Sequence, residues 1–307
     1  MRSLYHIFCV SLQKITNNNK YMANYNIREL QVRILGILLE FDKVCKEHGL
    51  RYCICGGTMI GAVRHKGFIP WDDDIDVGML REDYDKFFEV FDQELGDKYN
   101  LLTPETDERY ACTVTHLQRK GTRFVSEMSQ DLKCEQCIFM DIFPFDYVAA
   151  NRKQQLSQGR KANFLGKMLF LSGTAYPFIP FGGIKGKIAG LICKMIHFGL
   201  KILHITPVKI YKKYKNVATE YNVKSDRSEY VTSFEYAGCL KDMIKEKNLF
   251  PMKKVPFENL EINIPNNNHE FLKKVYGDYM QLPSEENRVN HMPLIIQFEG
   301  EEPIYEQ

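Results

Sequence analysis

Gly56-Gly57-Thr58-Met59-Ile60-Gly61-Ala62-Val63-Arg64-His65-Lys66-Gly67-Phe68-Ile69-Pro70-Trp71-Asp72-Asp73-Asp74-Ile75-Asp76-Val77 is the stretch on which the reading of this chain turns. Arg51–Cys55 alternates and stops at the glycine pair, which predicts a short strand entering a turn, with Thr58 placed to cap a helix through about Lys66. Backbone N–H groups at such a helix start can receive a phosphate, although a glycine pair by itself is equally a plain turn. Ile75–Met79 reads as the next strand. Asp72, Asp73, Asp74 and Asp76 are close enough in sequence to repel one another unless a cation or solvent intervenes. Residues two apart on a strand share a face, so Asp72, Asp74 and Asp76 are expected on one side and Asp73 with Ile75 on the other. Oxygen ligands on one edge suit a hard divalent ion such as Mg²⁺; a solvated acidic turn is the plainer reading.

Outward from this run, apolar residues recur at helical spacing from Ile27 to His48 before Gly49, and again from Glu82 to Leu95. Strand-like runs follow at 111–118, 123–128 and 138–143, the last carrying Asp141 between apolar neighbours. A buried strand tolerates a carboxylate only if it is paired, hydrogen-bonded or bound to metal, so Asp141 needs a partner that the aspartate cluster's cation would supply. Alternating helices and strands predict an α/β (α+β) mixed sheet with flanking helices. Residues 26–150 would form the core domain and 223–307 would complete it. Between them, 151–222 reads as a helical basic and apolar insertion, broken at Pro177, Pro180, Gly182-Gly183 and Pro207.

Charge supports the same division. The 307 residues are 44% hydrophobic and 26% charged, which suits a folded core, and the net charge of +2 says little. Its distribution is uneven: residues 147–219 hold 13 Lys/Arg and no Asp or Glu, leaving 28 basic residues against all 39 acids elsewhere. The middle segment therefore suits an anionic surface, and its apolar character argues against nucleic acid. No stretch offers the uninterrupted apolar run of a membrane span. A helix lying in the interface of an anionic membrane is one reading of this segment; an ordinary helical lobe covering the sheet is the other. Nine scattered cysteines fit a reducing cytoplasm better than a disulfide scaffold, with peripheral attachment to the inner membrane face as an extension of the interfacial reading. Cys134-Glu135-Gln136-Cys137 is only half a zinc site even with Cys112 or His116 nearby, so zinc is not expected. Residues 1–25 read as a disordered leader, with Met22 as an alternative start and a targeting peptide as the rival explanation.

The combination of a glycine turn, Asp-hydrophobic-Asp on the next strand and a third Asp among apolar residues resembles the nucleotidyltransferase superfamily. More closely, Gly56–Asp76 is similar to the signature of the LicD family, which includes bacterial phosphocholine transferases and is related to the fukutin group. Arg81-Glu82-Asp83-Tyr84, Asp141-Ile142-Phe143-Pro144 with Asp146, and Tyr276-Gly277-Asp278-Tyr279-Met280 with Leu282-Pro283 extend the resemblance from about residue 27 to 288. A fukutin-group relative carries a zinc-binding cysteine cluster, but these cysteines do not match it residue by residue.

The resemblance implies a nucleotidyltransferase-like fold, with residues 26–150 as its catalytic core, and an enzyme that moves phosphocholine or a polyol phosphate from a CDP-alcohol donor to a glycan, releasing CMP. Lipopolysaccharide or teichoic acid, with a lipid-linked acceptor, would be the setting. Phosphoryl transfer needs mainly positioning and charge neutralisation. With the resemblance, that assigns Asp74 and Asp76 as principal Mg²⁺ ligands, Mn²⁺ being the alternative ion. Asp141 becomes the third carboxylate and preferred proton acceptor, and Asp72 a ligand or organiser. Gly56, Gly57 and Thr58 would hold the donor's phosphates. Arg64, His65 and Lys66 would balance its charge or else face solvent. Trp71 either packs beneath the acidic loop or joins a cation-π box, and Arg288 and His291 either fold back onto the site or lie on the surface. A nucleotidyltransferase releasing pyrophosphate and a non-catalytic membrane-associated scaffold are the rival functions; retention of all four acids argues against the scaffold.

Overall fold

The computed structural model describes residues 25–305 apart from Met128, Phe178, Pro180, Ala237, Val289 and Met292. The leader expected over residues 1–25, except Tyr25, and the alternative start at Met22 lie outside them. Helix α1 (Ile27–Glu47) begins at Asn26, whose side chain accepts from the Arg28 N–H, and Gly49 at φ 65 turns the chain away beyond its end. Its apolar stripe, including Leu30, Ile34, Leu38 and Phe41, is buried. There follow β1 (Cys53–Ile54), α2 (Gly56–His65), β2 (Asp76–Leu80), α3 (Arg81–Glu94), β3 (Tyr99–Leu102), β4 (Thr115–Arg119), β5 (Arg123–Ser126) and β6 (Phe139–Ala149).

The central sheet runs β1-β2-β6-β4-β3 and is mixed: β2 and β6 are parallel, whereas β1 with β2 and β4 with β6 are antiparallel. Its residues are largely Val, Ile, Met, Phe and Leu because helices cover it. Phe41 of α1 meets Tyr52 and Phe87 of α3 edge-on, each with ring centroids 5.0 Å apart, and all three side chains are fully buried. Truncating one of them to Ala costs about 3–5 kcal/mol.

The strand expected over 138–143 continues to Ala149, because β7 (Arg227–Thr232) pairs with its second half, Asp146 opposite Thr232, and β8 (Ile244–Lys245) pairs with β7. Between β6 and β7 lie α4 (Arg152–Gly173), α5 (Gly183–Ile202) and α6 (Pro207–Ala218). Pro207 stands in the first turn of α6, and the Thr206 side chain accepts from Lys209 N–H. Helices α4 and α6 pack on β6 around Val148, Ala162, Leu169, Ile210 and Tyr214, while α5 touches α4. No single helix among the described residues is long and apolar enough to cross a membrane.

The chain closes with α7 (Glu246–Leu249), the hairpin β9 (Lys253–Phe257) and β10 (Leu260–Ile264), α8 (Asn268–Tyr276), β11 (Pro293–Gln297) and β12 (Ile304–Tyr305). Strand β11 pairs with β5, which brings the residues preceding it back to the front of the central sheet.

Candidate active site

The acidic run is not one strand, as the two-residue periodicity predicted. Strand β2 starts only at Asp76, because the Asp72 N–H closes a turn onto the Ile69 carbonyl at 2.9 Å after Pro70. The turn nevertheless separates the acids much as expected. Asp72, Asp74 and Asp76 line a cavity of about 490 Å³, whereas Asp73 is buried beside His291. Asp141 lines the same cavity and is directly opposite Asp76 in the parallel register of β2 and β6. Adjacent strands stand about 4.8 Å apart, so these two acids, 65 residues apart in sequence, are neighbours by construction.

Burial raises the pKa of Asp72, Asp74, Asp76 and Asp141. Asp72, Asp76 and Asp141 are pushed well above the ordinary carboxylate range, chiefly by desolvation and then by Asp74. Asp74 is raised by burial and held back by His291, while a hydrogen bond to Asp74 further favours the protonated form of Asp72. Such a cluster is stable near neutral pH only if protons or a cation offset the charge. Asp141 Oδ1 is buried without a hydrogen-bond partner, at 3.2 Å from Nε2 of His116, whose pKa burial drives down to about 3.

Among the described residues no group of three or more His, Cys, Asp or Glu side chains stands close enough together to hold a metal ion. The oxygen donors that line the cavity are Asp76 and Asp141, opposite each other across β2 and β6, with Asp72 and Asp74 on the same wall; two such carboxylates are the donor type a hard divalent ion takes when it keeps several waters.

The glycines are dictated by these acids. A Cβ at residue 56 would lie 2.0 Å from Asp76 Oδ2, and one at residue 57 would lie 2.9 Å from Asp72 Oδ2. Gly56 and Gly57 thus start α2 at the cavity wall, where the positive helix end faces the carboxylates. Thr58 has a different role from the expected cap and phosphate contact: the helix has already begun, and the buried Thr58 hydroxyl accepts from the Asp76 N–H at 2.8 Å. Arg64 lines the cavity and donates to the Tyr279 carbonyl at 2.8 Å and to His65 Nε2 at 2.9 Å. His65 and Lys66 are outside its lining, Lys66 at the left-handed end of α2, so of the three expected cations the geometry brings in Arg64 alone.

The C-terminal segment folds back. His291 lines the cavity and donates from N–H and Nδ1 to the Asp73 carboxylate, and Arg288 lies over the Trp71 ring, 4.7 Å from its centroid. Trp71 packs against the core and takes this internal guanidinium. Arg81 and Asp146 form a buried bidentate pair, at 2.9 and 2.7 Å, outside the cavity lining. Cys112 and Cys134 sit in a small apolar cluster with Tyr110 and Leu132, and burial pushes Cys134 up to about 11.

Tyr236, Asp242 and Phe271 also line the cavity, as do Tyr276, Asp278 and Tyr279 of the motif noted near the end of the chain. Nothing in the local sequence marks the first three; only the return of the C-terminal half of the chain to the sheet does.

Comparison with known proteins agrees with this geometry. The family description LicD/FKTN/FKRP, nucleotidyltransferase domain, matches residues 49–183. The chain is 31% identical over 270 residues to the lipopolysaccharide cholinephosphotransferase LicD of Haemophilus influenzae, covering 88% of this chain and 97% of that protein. It is 31% identical over 177 residues to an uncharacterised protein of Rickettsia typhi, 56% of this chain and 50% of the relative. The human ribitol 5-phosphate transferase FKRP matches over 57 residues at 39% identity, 19% of this chain and 10% of that one.

Proposed function

The chain belongs to the LicD family of phosphotransferases, and on that premise we propose that it moves a phospho-alcohol from a CDP-alcohol to a cell-envelope glycan, releasing CMP. The observation that carries this reading is the pairing of Asp76 with Asp141 across β2 and β6, at a cavity edged by the glycine start of α2.

In the proposed reaction the acceptor hydroxyl attacks the phosphorus that bears the alcohol. The bond from that phosphorus to the oxygen bridging the two phosphates breaks, and CMP departs with the bridging oxygen. The hydroxyl proton passes to a cavity carboxylate, Asp141 being preferred because its Oδ1 is buried at the cavity without a hydrogen-bond partner. The N–H groups at Gly56 and Gly57 and the Arg64 guanidinium hold the diphosphate. The wall that includes Tyr236, Phe271 and Tyr276 receives the uncharged parts of the substrates. Mg²⁺, bound by Asp74, Asp76 and Asp141, would supply charge neutralisation for the transferred phosphate and the leaving CMP.

The test is CMP release from a panel of CDP-alcohols with Mg²⁺ and a glycan acceptor, comparing wild type with Asp74→Ala and Asp76→Ala. CMP should form in wild type and fall at least a hundredfold in each variant. Pyrophosphate in place of CMP, or unchanged turnover in both variants, would overturn the assignment.

A further inference from the structure

Helix α5 carries its apolar residues on the wrong side for a core helix. Ile184, Ile188, Leu191, Met195, Phe198 and Ile202 recur at alternating spacings of four and three, which places them in one stripe along the helix. That stripe faces outward, with Ile184 78%, Leu191 60%, Met195 62% and Ile202 75% exposed. The opposite side is small, with Gly186, Ala189, Gly190 and Cys193; the buried His197 anchors it through Nδ1, 2.7 Å from the Leu171 carbonyl of α4. Lys187, Lys194 and Lys201 repeat every seventh residue along one flank of the stripe, and Lys185 stands on the other. The surrounding stretch, residues 147–219, has 13 Lys/Arg and no acid.

We propose that α5 lies flat in the headgroup region of a bilayer containing anionic lipid. Its apolar stripe enters the acyl boundary while the flanking lysines reach the lipid phosphates. Charge chooses this occupant. A second copy pairing through the same face would set lysine rows together with no acid to offset them. Insertion across the bilayer is disfavoured for a related reason: the lysines are spread along the whole helix, about 30 Å, so some would be buried in hydrocarbon.

The experiment is flotation of the full chain with vesicles of phosphatidylcholine, alone or mixed with phosphatidylglycerol, over a salt series. Wild type should float with the mixed vesicles at low salt and dissociate as salt rises. Lys187→Gln, Lys194→Gln and Lys201→Gln should each weaken binding roughly fivefold. Leu191→Ser combined with Met195→Ser should abolish flotation while the circular dichroism spectrum stays that of wild type. Failure of wild type to float, or flotation independent of salt and anionic lipid, would overturn the proposal. So would a dimer on gel filtration that the double serine variant converts to monomer, which would assign the face to a second copy.

Discussion

Gly56 and Asp76 occupy each other's space: a side chain at residue 56 would start 2.0 Å from Asp76 Oδ2. The glycine also holds φ 55, a region that costs an L-residue about 1 kcal/mol or more. Gly56→Ala should therefore lower stability modestly and reduce CMP release at least a hundredfold. Gly49→Ala provides the control, since Gly49 has φ 65 but a methyl group added there would meet nothing within 4 Å. It should show a similar loss of stability with activity retained. Equal activity losses in the two variants would mean that backbone strain, not collision with Asp76, is responsible.

Asp72, Asp76 and Asp141 have folded-state pKa values raised by burial. Their contribution is therefore favourable below the unfolded value near 4 and is lost as pH rises through the raised ones. A divalent ion should restore that loss. Thermal unfolding at pH 7.5 should move upward by several degrees with millimolar Mg²⁺ or Mn²⁺, and the shift should vanish near pH 4. Asp76→Asn should unfold at a higher temperature than wild type without metal and respond far less to its addition. An undiminished metal shift in that variant would place the ion elsewhere.

The central elements were legible because their signals are local. The stripe in α1, the glycine pair that opens α2 and the apolar run of β6 each declare themselves within a few residues. Asp141 stood out as a charge inside such a run, and the parallel pairing of β2 with β6 explains why it meets Asp76. The turn at Asp72 was misread as strand because alternation describes side-chain direction and is blind to the hydrogen bond that Asp72 N–H makes with Ile69. Thr58 has a capping residue's chemistry, yet its hydroxyl is taken by the Asp76 N–H, a contact between elements. Tyr236, Asp242 and Phe271 reach the cavity only through tertiary return of the chain, so no periodicity could announce them.

His291 is tied to Asp73 by two donors, its own N–H and Nδ1, and the Asp73 side chain is fully buried. This contact joins the C-terminal wall of the cavity to the acidic turn. Asp73→Ala should cost about 2–4 kcal/mol by removing the buried carboxylate that those donors bind. It should also make the segment from Ser284 to His291 more sensitive to proteolysis. Asp73→Asn keeps an acceptor and should lose less. Equal protection of that segment in wild type and Asp73→Ala would show that the wall is held by other contacts.

Asp242 offers a pH signature that does not involve the four-acid cluster. It lines the cavity, one of its oxygens is buried without a hydrogen-bond partner, and burial lifts its pKa to about 6 against the partial opposition of Lys241 and Lys274. Because the folded protein binds this proton more tightly than the unfolded chain, the stabilisation is complete below about pH 4 and disappears as pH rises through 6. A shift of this size corresponds to about 2–3 kcal/mol. Asp242→Asn, which cannot ionise, should therefore be more stable than wild type by about 1–3 kcal/mol at pH 7.5 and nearly equal to it at pH 4. Urea unfolding at the two pH values measures both differences, and an advantage of the same size at each would show that shape, not charge, is what the amide changes.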